Sequence, residues 1–86
     1  MKCDVCNREL NLTQWSADES LKSCPGCSKS NGAQHVFFKY PEKFGTTSAR
    51  STPLHPEGPQ SYCSDCRAES KVNLSNAVYC QDVKIK

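Results

Sequence analysis

The chain lacks the material of an ordinary hydrophobic core. Leu, Ile, Val and Phe together supply 14 of its 86 residues, and isoleucine occurs once. So few large apolar side chains cannot bury enough surface to offset the entropy of ordering a chain. Long apolar runs are missing too. None approaches the roughly 18 residues of a membrane-spanning helix, so no membrane partner is expected. The first residues, Met1-Lys2-Cys3-Asp4, turn polar at once. They lack the apolar stretch of a secretory leader, and the expected location is the cytoplasm. No glycine-rich phosphate loop of the usual form is present. Ser61 and Ser64 have no evident base beside them in the sequence. Neither a catalytic residue nor a small-molecule substrate is therefore expected, and the chain reads as a protein without enzyme activity.

What the chain has instead is cysteine. Cys3/Cys6, Cys24/Cys27 and Cys63/Cys66 form three Cys-x-x-Cys pairs, and Cys80 follows alone. Two thiolates three residues apart can grip one tetrahedral metal from a single tight turn, and two such turns close a structural site. Three pairs in so short a chain, with 17 residues between Cys6 and Cys24, point to zinc. A structural zinc contributes about 10–16 kcal/mol of apparent binding energy, which in small domains is folding energy. Two Zn2+ ions would supply what the core lacks.

Two other uses of cysteine fit less well. Disulfides suit an oxidising compartment, and seven cysteines would leave one unpaired. A redox dithiol needs its first cysteine at a helix N-terminus after a strand. Cys24-Pro25-Gly26-Cys27 is followed by Ser28-Lys29-Ser30-Asn31-Gly32, which reads as turn composition. Asn7, directly after Cys6, tolerates the left-handed backbone that closes such turns.

The ligands can be partitioned in two ways. Consecutive pairs, Cys3, Cys6, Cys24 and Cys27, give the shortest loop closure. Cys63, Cys66 and Cys80 would then need a histidine. Alternatively Cys24/Cys27 join Cys63/Cys66 across 35 residues, leaving Cys3, Cys6 and Cys80 with the histidine. Of the two histidines, His35 is preferred because it opens the best strand candidate, Gln34 to Tyr40. His55 lies in a loop between Leu54 and Pro56.

The remaining segments are read from composition. Leu10, Leu12 and Trp15 suit a short strand or hairpin arm, and Pro41 ends the ladder of the 34–40 strand. Residues 44–61 contain three prolines and two glycines and form a long loop, either mobile or functional. A short helix is expected at about 66–72 and a strand over 77–85.

A resemblance adds to this reading. Cys24-Pro25-Gly26-Cys27, then Phe37-Phe38-Lys39-Tyr40, then Glu57-Gly58-Pro59-Gln60-Ser61-Tyr62-Cys63-Ser64-Asp65-Cys66-Arg67 resembles small zinc-ribbon or treble-clef modules of bacterial and phage proteins. Such modules often stand beside HNH nuclease domains. The resemblance implies Cys24, Cys27, Cys63 and Cys66 as ligands of one zinc. It does not extend to the HNH centre, which needs clustered histidines with an Asn or Asp. The expected fold is a small metal-stabilised domain, zinc-ribbon or treble-clef-like, with short β-hairpins, long loops and little helix. Residues 1–86 form one unit, with 1–30 as a first zinc-knuckle region and 31–86 as a second that carries the 44–61 loop.

Charge bears on partners. The formal net charge is +2 with thiols neutral. A four-thiolate zinc centre brings −2 and a centre of three thiolates and a histidine brings −1, which leaves −1 in total. A polyanion would need a local patch. Residues 29–50 hold Lys29, Lys39, Lys43 and Arg50 against Glu42, among Phe37, Phe38, Tyr40 and Phe44. Cations beside aromatics can meet phosphates and stack on bases, and such aromatics can equally form the core. The candidate nucleic-acid contacts are Lys39, Lys43, Arg50 and Arg67, with Tyr40 and Phe44 for stacking. The alternative is an adaptor that presents the 44–61 loop to a protein partner.

Overall fold

The computed structural model describes residues 1–86. Three short strands build one antiparallel sheet in the order β1 (Leu21–Ser23), β2 (Val36–Lys39), β3 (Val78–Tyr79). Leu21 pairs with Lys39 and Ser23 with Phe37, while Val36 pairs with Tyr79. Helix α1 (Pro25–Asn31) links β1 to β2, and α2 (Ser64–Arg67) follows the loop. Single 3-10 turns occupy Ser48–Arg50 and Cys80–Asp82. No helix is long and apolar enough to cross a membrane.

Strand β2 organises the interior. Successive side chains of a strand point to opposite faces. Val36 and Phe38 pack in a cluster with Cys24, Cys27, Phe44 and Cys63. Phe37 packs in another, with Cys3, Leu10 and Cys80. One four-residue strand thus serves two small cores, each centred on cysteines. That is how a chain with so few aliphatic residues becomes ordered. Its phenylalanines are spent on the interior: Phe37, Phe38 and Phe44 are all fully buried.

Several segments differ from the sequence expectations. The residues after Cys24 form a helix and not a turn. Pro25 suits the first helical turn, where its missing N–H is not needed, and Gly32 at φ 78° stops the helix. Between them Cys27 and Ser28 are buried, so packing overrides the weak helix propensity of Ser and Asn. The second helix begins at Ser64, directly after Cys63, and ends by Arg67. The expected strand over 77–85 is only two residues long. It breaks into the 3-10 turn that carries Cys80, after which Ile85 makes an isolated bridge to Ser16.

The 44–61 loop is pinched at its base. Thr46 bridges Pro59, the Thr47 N–H donates to the Gly58 carbonyl (2.7 Å), and the Gln60 N–H donates to the Gly45 carbonyl (3.2 Å). Gly58 is required there. Its φ is +74°, and a Cβ would fall 1.8 Å from the Thr47 carbonyl oxygen.

Candidate metal centres

Eight side chains gather into two quartets. Cys24, Cys27, Cys63 and Cys66 form one; Cys3, Cys6, His35 and Cys80 form the other. Within each, the ligand atoms lie within 4.8 Å of one another. The consecutive pairing of Cys3/Cys6 with Cys24/Cys27 does not occur. The two quartets interleave along the chain, so the division into 1–30 and 31–86 does not separate them.

In the four-cysteine quartet each Cys-x-x-Cys begins at the N-cap of a short helix, Cys24 before α1 and Cys63 before α2. Cys24 Sγ lies 3.7 Å from Cys66 Sγ, and Cys27 Sγ lies 3.8 Å from Cys63 Sγ and 3.7 Å from Cys66 Sγ. A tetrahedral zinc with Zn–S of about 2.3 Å sets its sulfurs about 3.8 Å apart. All seven cysteines are free thiols. The Cys63 N–H donates to Cys24 Sγ at 3.3 Å, fixing that thiolate. Gly26 lets the second turn approach: a Cβ there would meet Cys66 Sγ at 3.2 Å and the Tyr62 ring at 3.3 Å.

Cys24 therefore does stand at a helix N-terminus after a strand, contrary to the turn reading. The pair does not stand alone as a redox dithiol would, because Cys63 and Cys66 lie against it. Four sulfurs at tetrahedral spacing are a metal donor set.

The second quartet is assembled from unlike parts. Cys3 and Cys6 come from a tight turn closed by the Asn7 N–H to the Cys3 carbonyl (2.9 Å), with Asn7 at φ 62°. His35 enters just before β2 and is fully buried. Its Nε2 lies 2.9 Å from the Glu9 carbonyl, and its Nδ1 lies 3.4 Å from Cys6 Sγ. A carbonyl can only accept, so Nε2 carries the proton and Nδ1 turns its lone pair toward the thiols. That is the neutral tautomer a metal ligand requires. Cys80 is placed by its own N–H, which donates to the His35 carbonyl (3.0 Å).

The thiol acidities are those of donors crowded against one another. Cys24 is lowered to about 4, first by its hydrogen bond from Cys27. Cys27 is raised, first by the same bond to Cys24 and then by burial. Burial pushes Cys66 and Cys80 up to about 12. Burial also opposes ionisation of Cys3, but N–H donors from Cys6, His35 and Val5 bring it to about 6. Several like charges cannot share so small a space unaided. A divalent cation would hold all of them as thiolates.

Lys22 was not legible as a site residue. Its sequence neighbours, Leu21 and Ser23, suggest an ordinary exposed lysine, yet it is 2% exposed. Its Nζ donates to the Ser61 carbonyl (2.7 Å) and to the Ser23 carbonyl (3.4 Å), and sits 4.2 Å over the Phe44 ring. Burial lowers its pKa to about 8, while thiolates at Cys24 and Cys63 resist that shift.

The expected nucleic-acid residues are dispersed. Lys39 is exposed at the end of β2. Arg50 is exposed and donates from Nη1 to Ser61 Oγ (3.0 Å). Lys43 pairs with Asp65 at 2.8 Å. Arg67 binds the Tyr62 carbonyl (3.2 Å) and the Phe44 carbonyl. Tyr40 is half-buried, edge-on to Trp15, and donates to Glu57 (2.7 Å). Phe44 cannot stack on a base, because it is wholly inside the core beneath Lys22. His55 belongs to neither quartet; it stacks on Trp15 at 4.4 Å, with Nε2 3.3 Å from Glu19 Oε1.

No family model matches the chain, and neither the curated proteins nor the solved structures give a match.

Proposed function

We propose that the chain is a structural zinc protein, folded around two zinc ions, that acts as a nucleic-acid-binding accessory protein and not as an enzyme. One observation carries the zinc reading: all seven cysteines and one of two histidines fall into two tetradentate sets. Thiolate with imidazole is the donor chemistry of structural zinc. Four protein ligands leave no coordination position for water, which favours a structural role over Lewis-acid catalysis. The paired knuckles and the central aromatic strand also suit the zinc-ribbon or treble-clef resemblance.

The nucleic-acid reading rests on fewer residues than the sequence suggested. Lys39 and Arg50 are exposed and have no carboxylate within ion-pair distance. Lys43 and Arg67 are engaged elsewhere, and Tyr40 alone of the aromatics in the proposed set is reachable. Such a surface binds weakly, without base readout, and each phosphate contact adds about one to the log–log salt slope. Oligonucleotide binding across a salt series tests it. Lys39→Glu combined with Arg50→Glu should abolish binding with zinc content unchanged. Undiminished binding by that double variant, or none by the parent at low salt, would overturn the reading.

A second reading has its own observation. Leu54, on the 44–61 loop, is 87% exposed, which suits an adaptor that offers a leucine to a protein partner. Complex formation that survives salt and is lost in Leu54→Ser would select it.

A further inference from the structure

A cavity of about 240 Å³ opens where the 44–61 loop meets the segment before β1. Thr13, Trp15, Lys22, Arg50, Thr52 and Ser61 are among its lining residues, and no carboxylate-bearing residue lines it. Its polar chemistry is almost entirely that of donors. Ser61 Oγ already accepts from Arg50 and Thr52 Oγ1 accepts from the His55 N–H, which leaves both hydroxyl protons to donate. Arg50 has one of its five N–H groups committed. Lys22 is committed to two carbonyls, so Arg50 is the cation left for a ligand. Its charge meets no acidic side chain: the acidic partners in the molecule's ion pairs are Glu9, Asp65 and Glu19, each held by another cation.

We propose that this cavity binds a phosphoryl group. The donors approach from three chain segments, around 13, 50–52 and 61. A tetrahedral oxyanion can accept from several directions at once, whereas a planar carboxylate offers two oxygens in one plane. Arg50 supplies the charge-assisted contact and the hydroxyls complete the shell. Trp15, stacked on His55, forms a rigid aromatic wall and a spectroscopic reporter. The proposal rests on the nucleic-acid reading only for the source of the phosphoryl group, which is either free phosphate or the phosphate of a nucleic acid.

The experiment uses the full zinc-loaded chain. Inorganic phosphate is titrated while Trp15 fluorescence and the backbone amides are followed; the same is done with one oligonucleotide carrying either a 5′-phosphate or a 5′-hydroxyl. Phosphate should shift the Thr13, Thr52 and Ser61 amides and the Trp15 signal. Arg50→Gln should weaken binding about tenfold or more, the scale of one charge-assisted hydrogen bond. Lys71→Gln, at an exposed position away from the cavity, should leave it unchanged. Thr52→Val provides a second weakening variant should Arg50→Gln disturb the loop. Tighter binding of the 5′-phosphate form assigns the pocket to a strand end. Equal binding of both forms, weakened alike by Arg50→Gln, assigns it to backbone phosphates. Phosphate bound with neither oligonucleotide bound keeps the pocket and removes the nucleic-acid reading. If phosphate shifts none of these signals and oligonucleotides bind Arg50→Gln as they bind the parent, the pocket proposal is wrong and Lys39 becomes the residue to pursue.

Discussion

The two quartets solve one problem by different means. The four-cysteine set repeats a single device: a Cys-x-x-Cys turn that opens a short helix, used at Cys24 and again at Cys63. The Cys3/Cys6/His35/Cys80 set has one Cys-x-x-Cys turn, which opens no helix, and takes its other two members from positions that flank the sheet strands. His35 precedes β2, Cys80 follows β3, and the Cys80 N–H to His35 carbonyl bond ties them together. The first set is a local construction repeated. The second exists only when the sheet is formed. Yet β2 feeds both, Val36 and Phe38 into one core and Phe37 into the other. The sets differ in how they are assembled but share one strand, and this predicts that they form and fail together.

Chelation gives the largest effect and tests that sharing directly. A strong chelator should remove both metals and abolish the sheet in one transition, because metal binding in so small a core is folding energy. Amide dispersion and metal content should fall in parallel. Loss of metal from the Cys3/Cys6 set with the four-cysteine core still folded would show two independent units and break the comparison.

A smaller effect separates the histidines. His35 is fully buried, with one nitrogen on the Glu9 carbonyl and the other toward Cys6. His35→Ala should lower the metal content of both quartets together and destabilise the fold markedly, because a buried candidate ligand and its hydrogen bond vanish at once. His55→Ala should leave metal content unchanged and cost only its contact with Glu19 and its stack on Trp15, the stack about 0.5–1.5 kcal/mol. The opposite pattern would relocate the ligand to the loop.

These cases show what could be read from the sequence and what could not. Every cysteine that the sequence marked as a candidate ligand lies in one of the two quartets, six of them in Cys-x-x-Cys pairs whose geometry is local to one turn. His35 was legible from the strand that follows it. The pairing was not legible. Loop closure favours consecutive pairs only weakly, since each doubling of loop length costs about 0.6 kcal/mol. The alternation along β2 outweighs that preference by sending Val36 and Phe38 to one cluster and Phe37 to the other. Helix α1 was misread because Ser28, Ser30 and Asn31 look like a turn until Cys27 and Ser28 are buried. The basic and aromatic run was left open between surface and core, since composition cannot distinguish a stacking phenylalanine from a core one. Lys22 carried no signal, because only the fold brings Ser61 and Phe44 around it.

The smallest expected effect compares the turns themselves. Asp65 lies within the Cys63-x-x-Cys66 turn, where its carboxylate accepts from Lys43 (2.8 Å) and from the Asn73 N–H (3.0 Å). Asp4 is the acidic residue of the Cys3-x-x-Cys6 turn, one place earlier in it than Asp65 in its own, is exposed, and makes a backbone contact only, from its N–H to the Ala33 carbonyl (2.7 Å). Asp65→Asn should lower Tm by a few degrees at most, since the Lys43 pair is only partly buried and such pairs contribute little, and Asp4→Asn should not change it. The pH dependence follows from the direction of the shift. Lys43 first, then the Asn73 N–H, hold the Asp65 carboxyl below its ordinary value. A group depressed in the folded state contributes its stability above the unfolded pKa and loses it as pH falls through the folded one. The difference between parent and Asp65→Asn should therefore stay constant from neutral pH down to about 4, the ordinary carboxylate range, and close only below it. Thermal melts of both variants over that range would decide the matter. An equal response from Asp4→Asn would mean that the two turns are held alike, and that the contrast between the quartets lies only in His35 and Cys80.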